Sequence, residues 1–525
     1  MKAGRTPGTP AVVIGAGIAG LATAALLARE GFVVTVLEAR DELGGRAGSW
    51  SSDGFRFDTG PSWYLMPEVF DHFYRLLGTS SAEQLDLVRL DPNYRVFFEG
   101  YDEPVEIVAD RSRNRQTFEQ LEPGAGDAFD RYLSSAKDAY SMALRRFLYT
   151  TFASFRTLLS PAVLRRSARL LRLLRHPLDR FAAASFQDPR LRQILGYPAV
   201  FLGSSPSMTP SLYHLMSHLD LDDGVYYPDG GFSAVIGGIA ELARAEGVHI
   251  VTGARATAIA TSAGSHPRVT GVDFMDAEGT PQHMSAEVVV STADLHHTET
   301  ELLPEALRSY PASWWTTRVA GPGAVLVLLG VRGALPELAH HSLFFTTDWG
   351  DNFARIFTEP TSIPDPASIY VCRPSATDRA VAPPGHENLF VLVPVPADPG
   401  IGSGGVGGRG DPSVEAVADR AIAQISEWAG IPDLADRIVV RRTIGPADFE
   451  RELHSWKGSA LGPAHTLRQS AFLRGRNISS RVSGLFYAGG STIPGIGLPM
   501  CLISAELVVK RLRNDTSASP LAEPL

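Results

Sequence analysis

A glycine-spaced turn between two predicted strands constrains the fold of this 525-residue chain more than any other feature. An apolar run over 11–14 leads into Gly15, Gly17 and Gly20, and a second apolar run ends at Glu38. In such a βαβ unit the first glycine allows a tight turn, the second lets the backbone approach a pyrophosphate, and the third lets the helix pack on its strand. Glu38 has the spacing of a carboxylate that accepts hydrogen bonds from an adenosine ribose. The pattern predicts a dinucleotide-binding α/β domain.

A glycine pair just after the second predicted strand extends this site. Gly44 and Gly45 let the backbone pass close to a further stretch of cofactor, and Arg46 can neutralise phosphate charge. Dehydrogenases that use only NAD have no need of such an element. The N-terminal sequence therefore favours FAD as the dinucleotide.

The apolar run over 11–28 also imitates a signal peptide or a short membrane span, because Lys2 and Arg5 precede it. The glycines of the turn interrupt the run, and a polar step at Arg29 and Glu30 ends it before the next strand. We therefore assign the run to the nucleotide domain.

Further segments, spread over most of the chain, carry a resemblance to one family. They are 57–62 (Phe-Asp-Thr-Gly-Pro-Ser), the blocks 188–192, 201–208, 224–231, 288–294 and 373–378, and the closing segment 484–499. Together with the N-terminal motifs they resemble the bacterial-type phytoene desaturases, which are carotenoid/retinoid oxidoreductases of the FAD-dependent amine-oxidase-like superfamily. The similarity runs from Ala11 to about Arg511.

The resemblance implies further contacts with the flavin. They are Gly60 and Pro61 beside the ring, Gly489 and Gly490 at the ribityl chain, and Gly497 and Leu498 at the start of a helix whose positive end would face the N1/O2 edge. Family members commonly place a histidine before the closing proline, where this chain has Ile493. A proton-transfer role for that side chain is therefore absent, and no catalytic side chain is predicted.

The implied fold is α/β: a Rossmann-like FAD-binding domain of the two-dinucleotide-binding-domain flavoprotein type, with an interleaved α+β substrate domain. We expect the FAD-binding domain to combine 1–75, 229–292 and 471–514, where strand signals occur at 248–259, 269–274 and 287–291. The substrate domain would combine 76–228 and 293–470. Residues 515–525 are expected to form a disordered tail.

The implied activity is desaturation of a C40 or similar isoprenoid hydrocarbon in carotenoid biosynthesis, most simply phytoene to lycopene or a less desaturated intermediate. A hydride would pass to flavin N5, so the cofactor supplies the difficult chemistry. Quinone or oxygen would be the terminal electron acceptor. The alternatives are a 3,4-desaturase, a ketolase/oxygenase or an isomerase of the same family, an amine oxidase, or a non-catalytic prenyl-lipid carrier of the GDP-dissociation-inhibitor fold.

A basic segment stands out in a chain whose net charge is -9, a total that argues against a nucleic-acid partner. Residues 145–180 contain nine arginines and one acid, Asp179. On a helix Arg165, Arg169 and Arg172 would share one face, and leucines 164, 171 and 174 another. We expect this segment to meet anionic lipid and admit a membrane-dissolved substrate, which places the protein in the cytoplasm, peripherally on the inner face of the plasma membrane. A solvated basic helix is the alternative.

The remaining candidates point to structure and not to chemistry. The two cysteines are far apart and show no metal-ligand spacing, so neither a disulfide nor a metal site is predicted. His214 and His218 lie one helical turn apart without a third ligand, which favours packing. Asp188 and Arg192 have the spacing of a helical ion pair, or would form a polar feature of the substrate tunnel.

Overall fold

The computed structural model describes residues 8–153 and 167–525. Its strands are β1 Pro10–Ile14, β2 Val33–Leu37, β3 Ser49–Ser52, β4 Phe55–Asp58, β5 Leu87–Arg89, β6 Tyr94–Phe98, β7 Val105–Ile107, β8 Tyr226–Pro228, β9 His249–Val251, β10 Arg255–Thr261, β11 Val269–Met275, β12 Pro281–Ser285, β13 Val288–Ser291, β14 Gly323–Arg332, β15 His341–Phe345, β16 Ile369–Cys372, β17 His386–Val395, β18 Ile438–Ile444 and β19 Leu485–Tyr487. The α-helices of six residues or more in the described ranges are α1 Ile18–Arg29, α2 Pro67–Leu76, α3 Arg111–Leu121, α4 Ala125–Ala143, α5 Ser167–Arg175, α6 Leu178–Ala183, α7 Pro189–Gly196, α8 Gly231–Ala245, α9 Leu295–Thr300, α10 Trp349–Phe357, α11 Pro412–Trp428, α12 Pro446–Leu453 and α13 Leu498–Arg513.

Five parallel strands form the sheet that carries the glycine turn, in the order β19, β13, β1, β2, β9. The strands read as continuous apolar runs because both faces of the sheet are buried. On one face α1 packs against α8 and α13, and its many alanines allow close approach. The antiparallel sheet β10–β11–β12 covers the other face.

The strand signals at 248–259 belong to two strands in different sheets. β9 joins the parallel sheet beside β2, whereas β10 begins the antiparallel sheet. Gly253 lies between them with φ +66°, a conformation that side chains rarely adopt. Apolar spacing alone does not reveal the change of sheet, since both strands are half buried.

A mixed sheet of seven strands forms the second unit, in the order β18, β14, β17, β16, β15, β6, β7. β14 and β17 pair antiparallel along their full length, and β15 pairs parallel with β6. Val414, Val417 and Ile425 of α11 are buried against one face. The other face carries aromatic and aliphatic side chains toward α4 and α7, and it lines part of a large cavity.

The C-terminal residues 515–525 are not a disordered tail; that prediction is wrong. Lys510 is fully buried, and its ammonium donates to the backbone oxygens of Tyr149 (2.8 Å), Ser517 (2.9 Å) and Ser519 (2.6 Å). Glu523 hydrogen-bonds the ring of His72. A polar composition indicates disorder only where nothing binds the segment, and here a buried cation needs its carbonyl groups.

Candidate active site

A large cavity, with a volume of about 940 Å³, extends from the glycine turn after β1 to the seven-stranded sheet. Such a volume lies at the upper end of the range for ligand sites. The predicted cofactor residues that line it are Gly15, Gly17, Glu38, Gly44, Gly45, Arg46, Gly60, Pro61, Gly489, Gly490, Gly497 and Leu498. The fold thus gathers motifs from both ends of the chain into one wall.

Gly20 lies beneath this wall and does not line the cavity. A Cβ atom at Gly20 would lie 1.9 Å from the carbonyl oxygen of Gly15, which has φ +96°. No other residue fits at Gly20 without moving α1 away from the turn. The third glycine therefore acts through helix packing.

Glu38 is buried at the end of β2 and faces the cavity. Its carboxylate accepts hydrogen bonds from the backbone N–H groups of Ala16 (2.6 Å) and Arg40 (3.0 Å). A carboxylate has about four acceptor sites, so it can still accept from two ligand hydroxyls. The same bonds hold the glycine turn in place beside it.

Arg46 directly follows the glycine pair Gly44 and Gly45. Its side chain connects this segment to Asp294 and Ser455, which are distant in the sequence. Its Nη2 donates to Ser455 Oγ (2.6 Å) and lies 3.4 Å from Asp294 Oδ2. Its Nε is buried without a hydrogen-bond partner. A half-buried guanidinium with a spare donor suits an oxygen-rich ligand such as a phosphate or a flavin carbonyl.

Two further features let backbone and helix approach a ligand. A Cβ at Gly60 would lie 1.9 Å from the carbonyl oxygen of Arg46, so these backbones touch. Gly497 adopts φ +117° immediately before α13, and the first turn of α13 lines the cavity. The positive end of the helix dipole therefore faces the cavity.

These groups fit FAD: glycines allow close approach, a carboxylate has free acceptor sites, an arginine has a spare donor and a helix N-terminus faces the cavity. When bound, FAD supplies the acceptor for a hydride. The residues present would hold its adenosine near Glu38 and its flavin between the Gly60 segment and the start of α13.

The rest of the cavity is apolar. It is lined by Trp63, Tyr197, Phe201, Phe345, Trp349 and Phe353, with leucine and isoleucine side chains between them. Such a wall excludes water and offers dispersion contacts, and it suits a long hydrocarbon chain.

A chain of hydrogen bonds that the sequence did not indicate begins at this wall. Ser62 Oγ lies 2.6 Å from Tyr370 OH, which lies 2.8 Å from His341 Nδ1. The imidazole of His341 stacks on Trp63 with ring centroids 4.4 Å apart. Burial, with a smaller contribution from His340, holds the pKa of His341 well below its usual range. The neutral ring thereby fixes the orientation of Trp63.

Asp220 is the centre of a second buried hydrogen-bonded group beside the cavity, which also contains Tyr94 and Tyr197. Its Oδ2 accepts hydrogen bonds from Tyr94 OH (2.9 Å) and Tyr197 OH (2.7 Å). Burial raises the pKa of Asp220 to about 7, although both tyrosines oppose the shift. The carboxyl group therefore holds a proton under mildly acidic conditions.

His465 and Arg474 were also missed by the sequence reasoning, because neither lies in a spaced motif. The His465 ring lines the cavity, is 3% exposed, and neither of its nitrogens has a partner. Arg474 is equally buried, and burial lowers the pKa of its guanidinium to about 10.

Two of the remaining candidates have structural roles. The Asp188 interpretation as a partner of Arg192 is wrong: Asp188 caps α7 and pairs with Arg190 at 2.7 Å. Arg192 Nε donates to the carbonyl oxygen of Phe186. His214 hydrogen-bonds Ser135 Oγ and the Ser211 carbonyl oxygen, so it is a packed histidine.

Three histidines lie in two clusters of side chains. His218 Nδ1 lies 3.0 Å from Asp222. Cys372, a free thiol on β16, lies with His340 and His341 so that their donor atoms are within 4.8 Å. The antiparallel pairing of β15 with β16 brings the cysteine and the histidines together.

The basic segment is described only in part, since Arg165 and Leu164 lie outside the described residues. Arg169 pairs with Asp138 at 2.6 Å, whereas Arg172 and Arg175 are exposed. Leu171 is exposed and Leu174 half-buried, and both line the cavity. The leucines that α5 buries are Leu170 and Leu173, so the expected apolar face with Leu171 and Leu174 stays a prediction.

Exposed apolar side chains surround one end of the cavity. They line its wall and face solvent, which places them at its opening: Leu171, Leu467, Phe472 and Leu473. Large apolar side chains that are grouped on a surface indicate an interaction site. Across 8–153 and 167–525, none of the helices has the length and apolarity needed to span a bilayer.

Comparison with known proteins agrees with this geometry. The chain is 42% identical to the carotenoid 3,4-desaturase of Haloarcula japonica, over 97% of this chain and 99% of that protein. It is 36% identical to the zeta-carotene-forming phytoene desaturase of Myxococcus xanthus, over 97% and 94% of the two chains. The resemblance to bacterial-type carotenoid desaturases is therefore confirmed.

A solved structure of similar fold is that of cyclohexylamine oxidase from Brevibacterium oxydans, with a TM-score of 0.57 at 13% identity, over 97% of this chain and 99% of that one. This confirms the predicted α/β FAD-binding fold. The family of flavin containing amine oxidoreductases matches residues 18–513. The chain belongs to this family and is an FAD-dependent oxidoreductase.

Proposed function

We propose that the protein is a carotenoid desaturase that introduces double bonds into a C40 isoprenoid chain. The observation that carries this proposal is the single cavity in which an apolar, aromatic wall continues directly into the glycine-lined wall suited to FAD. A long hydrocarbon in the apolar part would bring a saturated carbon–carbon bond to the flavin. Phytoene is the first candidate substrate, converted to lycopene or a less desaturated intermediate.

A 3,4-desaturation of an already conjugated carotenoid is the second candidate. It is favoured by the 42% identity with a protein of that name, a higher value than that shared with the phytoene desaturase of Myxococcus xanthus. Both reactions need the same hydride acceptor and the same apolar channel.

In this proposal the protein residues bind, orient and exclude water. Glu38 would hold the adenosine ribose, Arg46 would bond the pyrophosphate or flavin, and the start of α13 would stabilise negative charge on the ring. The aromatic wall fixes the polyene by contact area, and the Ser62 to His341 chain keeps Trp63 in one orientation. Precise placement of this kind contributes several kcal/mol to a rate.

Membrane contact would explain how so apolar a substrate enters. The exposed side chains at the cavity opening would insert into the lipid interface, with Arg172 and Arg175 beside anionic headgroups. We place the protein on the cytoplasmic face of the membrane on this ground. A quinone dissolved in the same lipid, or oxygen, would then reoxidise the flavin.

Expression in two bacterial hosts, one accumulating phytoene and one accumulating lycopene, tests the function. A phytoene desaturase should form coloured products in the first host. A 3,4-desaturase should shift the pigment spectrum only in the second, by adding conjugated double bonds to lycopene. Unchanged pigments in both hosts, with FAD-loaded protein present, would reject the proposal.

A further inference from the structure

His465 is a buried imidazole whose hydrogen-bonding capacity is unused. Neither Nδ1 nor Nε2 has a partner, and the side chain lines the cavity. Leaving two buried polar atoms without hydrogen bonds is unfavourable for folding. A ring in this state indicates a role toward something that enters the cavity.

The backbone around His465 is held firmly by two buried side chains. Arg474 donates to the carbonyl oxygens of Pro463 (3.1 Å), Gly490 (2.5 Å) and Thr492 (3.2 Å), and so ties the His465 segment to the closing segment. Gln469 donates to the carbonyl oxygen of Ala464 at 2.9 Å. Such support is typical of a residue whose position matters for chemistry.

The ring lies where the two halves of the cavity meet. A Cβ built on Gly495 would lie 2.1 Å from His465 Nε2, so the imidazole edge touches the closing segment. Its other side stacks on Tyr213 of the substrate unit, with centroids 5.6 Å apart and planes within 12°. His465 therefore lies between the closing segment, which would contact the flavin, and the side chain of Tyr213.

The other imidazoles that line the cavity in the described residues are at its nucleotide end. His297 and His454 stack on each other with centroids 3.9 Å apart, near Asp294 and Arg46. His341 is engaged by Tyr370 and does not line the cavity. His465 alone among the described cavity-lining histidines stands beside the closing segment.

We propose that His465 accepts the proton released in the desaturation, an inference that rests on the proposed function. One carbon–hydrogen bond of the substrate breaks with its electron pair, and the hydride goes to the oxidised flavin. As the hydride leaves, the adjacent carbon–hydrogen bond breaks in the same step, its electron pair becomes the new double bond, and the proton forms an N–H bond on the imidazole. One hydride and one proton leave the substrate, and charge is conserved.

The electrostatics suit this role. Burial, and then the charge of Arg474, hold the pKa of His465 well below its usual range, so the ring rests unprotonated and ready to accept. A weak base is sufficient, because a carbon chain that has lost a hydride is cationic and binds its neighbouring proton loosely. The negative charge that the flavin gains with the hydride offsets the imidazolium formed nearby.

The first experiment uses FAD-loaded protein in liposomes with substrate under anaerobic conditions, and it follows flavin bleaching in a single turnover. His465→Gln keeps the size and polarity of the side chain but accepts no proton, and it should bleach about 100-fold or more slowly. Its dissociation constant for FAD should stay within about threefold of the wild-type value. His249→Gln, an exposed imidazole on β9, should match the wild type.

Two further measurements distinguish a role of His465 in proton transfer from a role in packing. One is rescue by free imidazole, and the other is binding of a positively charged substrate analogue. Free imidazole should restore bleaching to His465→Ala and not to His465→Gln, in which the space is filled. An isoprenoid amine, protonated to imitate the cationic chain, should bind the wild type at least tenfold more tightly than His465→Ala, while the matching hydrocarbon should not distinguish them. The flavin absorption band reports both binding events.

The outcomes separate this inference from the proposed function. If the wild type desaturates a carotenoid and His465→Gln bleaches equally fast, His465 is not the proton acceptor and the inference fails. If imidazole does not rescue His465→Ala and the amine binds both proteins alike, the residue is only structural. If the wild type desaturates no polyene, the proposed function itself fails.

Discussion

Arg46 lies 3.4 Å from Asp294, although 248 residues separate them in the sequence. The contact joins the segment after β2 to the start of α9 and leaves the Arg46 Nε atom without a hydrogen-bond partner. One residue therefore stiffens the wall and retains a donor for a ligand.

Arg46→Ala should weaken FAD binding about 10-fold to 100-fold, since a hydrogen bond to a charged group contributes about 1.5–3 kcal/mol. Titration of the apoprotein with FAD, followed by flavin fluorescence, measures this. Ser455→Ala removes only an anchor of Arg46 and should cost less. Arg244→Ala on the exposed face of α8 is the control, and equal FAD affinity in all three variants would remove Arg46 from the site.

Glu38→Ala should also weaken FAD binding, by at least about tenfold, because two roles are lost together. The ribose loses its acceptor, and the backbone N–H groups of Ala16 and Arg40 lose theirs. Equilibrium dialysis with FAD provides the measurement. Glu42→Ala changes an exposed carboxylate in the same loop and should bind FAD normally; a normal value for Glu38→Ala as well would refute the adenosine placement.

Asp220 should make the free energy of unfolding depend on pH. Its pKa is raised from 3.8 to about 7, so the folded protein binds the proton more tightly than the unfolded chain. Stability is therefore lost as pH rises from about 4 to about 7 and changes no further above that, by up to roughly 4 kcal/mol.

Asp220→Asn imitates the protonated acid and should be more stable than the wild type at pH 8, with little difference near pH 4. Urea unfolding at both pH values tests this. The exposed residue Asp436 offers the control Asp436→Asn, which should follow the wild type. A stability difference that did not widen between pH 4 and pH 7 would contradict the assignment.

The opening of the cavity should bind anionic liposomes. Exchanging Arg172 and Arg175 for Glu, or Leu467 and Phe472 for Ser, should reduce co-sedimentation with vesicles that contain phosphatidylglycerol. The charge variant should lose sensitivity to salt, whereas the apolar variant should bind weakly at any salt concentration. Val439→Ser, an equally exposed apolar position on β18, should bind as the wild type does. Undiminished sedimentation of both variants would argue against this face.

The nucleotide half of the site could be predicted from sequence because its residues lie close together in the chain at characteristic spacings. Gly15, Gly20 and Glu38 occupy fixed positions around one turn, and their spacing alone specifies the backbone geometry. Arg46 was found for the same reason. Twelve of the predicted residues line the same cavity, and Gly20 supports it from below.

The apolar half of the cavity could not be predicted in this way. The environment of His465 depends on Arg474 and Gly495, and that of Ser62 depends on Tyr370. No short sequence motif contains these pairs. The isoleucine at position 493 excluded a proton-transfer role for that side chain alone, and the fold brings His465 to the closing segment from another loop. Local spacing describes turns and caps, whereas contacts across the chain depend on packing.

The buried ammonium of Lys510 also constrains how the protein can be handled. Two of its acceptors, the carbonyl oxygens of Ser517 and Ser519, belong to the last stretch of sequence. Cleaving that stretch would leave a buried cation without these acceptors beneath α13, the helix whose first turn lines the cavity. Leu525 in the same segment donates its N–H to the Leu76 carbonyl oxygen. An affinity tag fused after Leu525 would therefore disturb the contacts that hold this segment against Lys510.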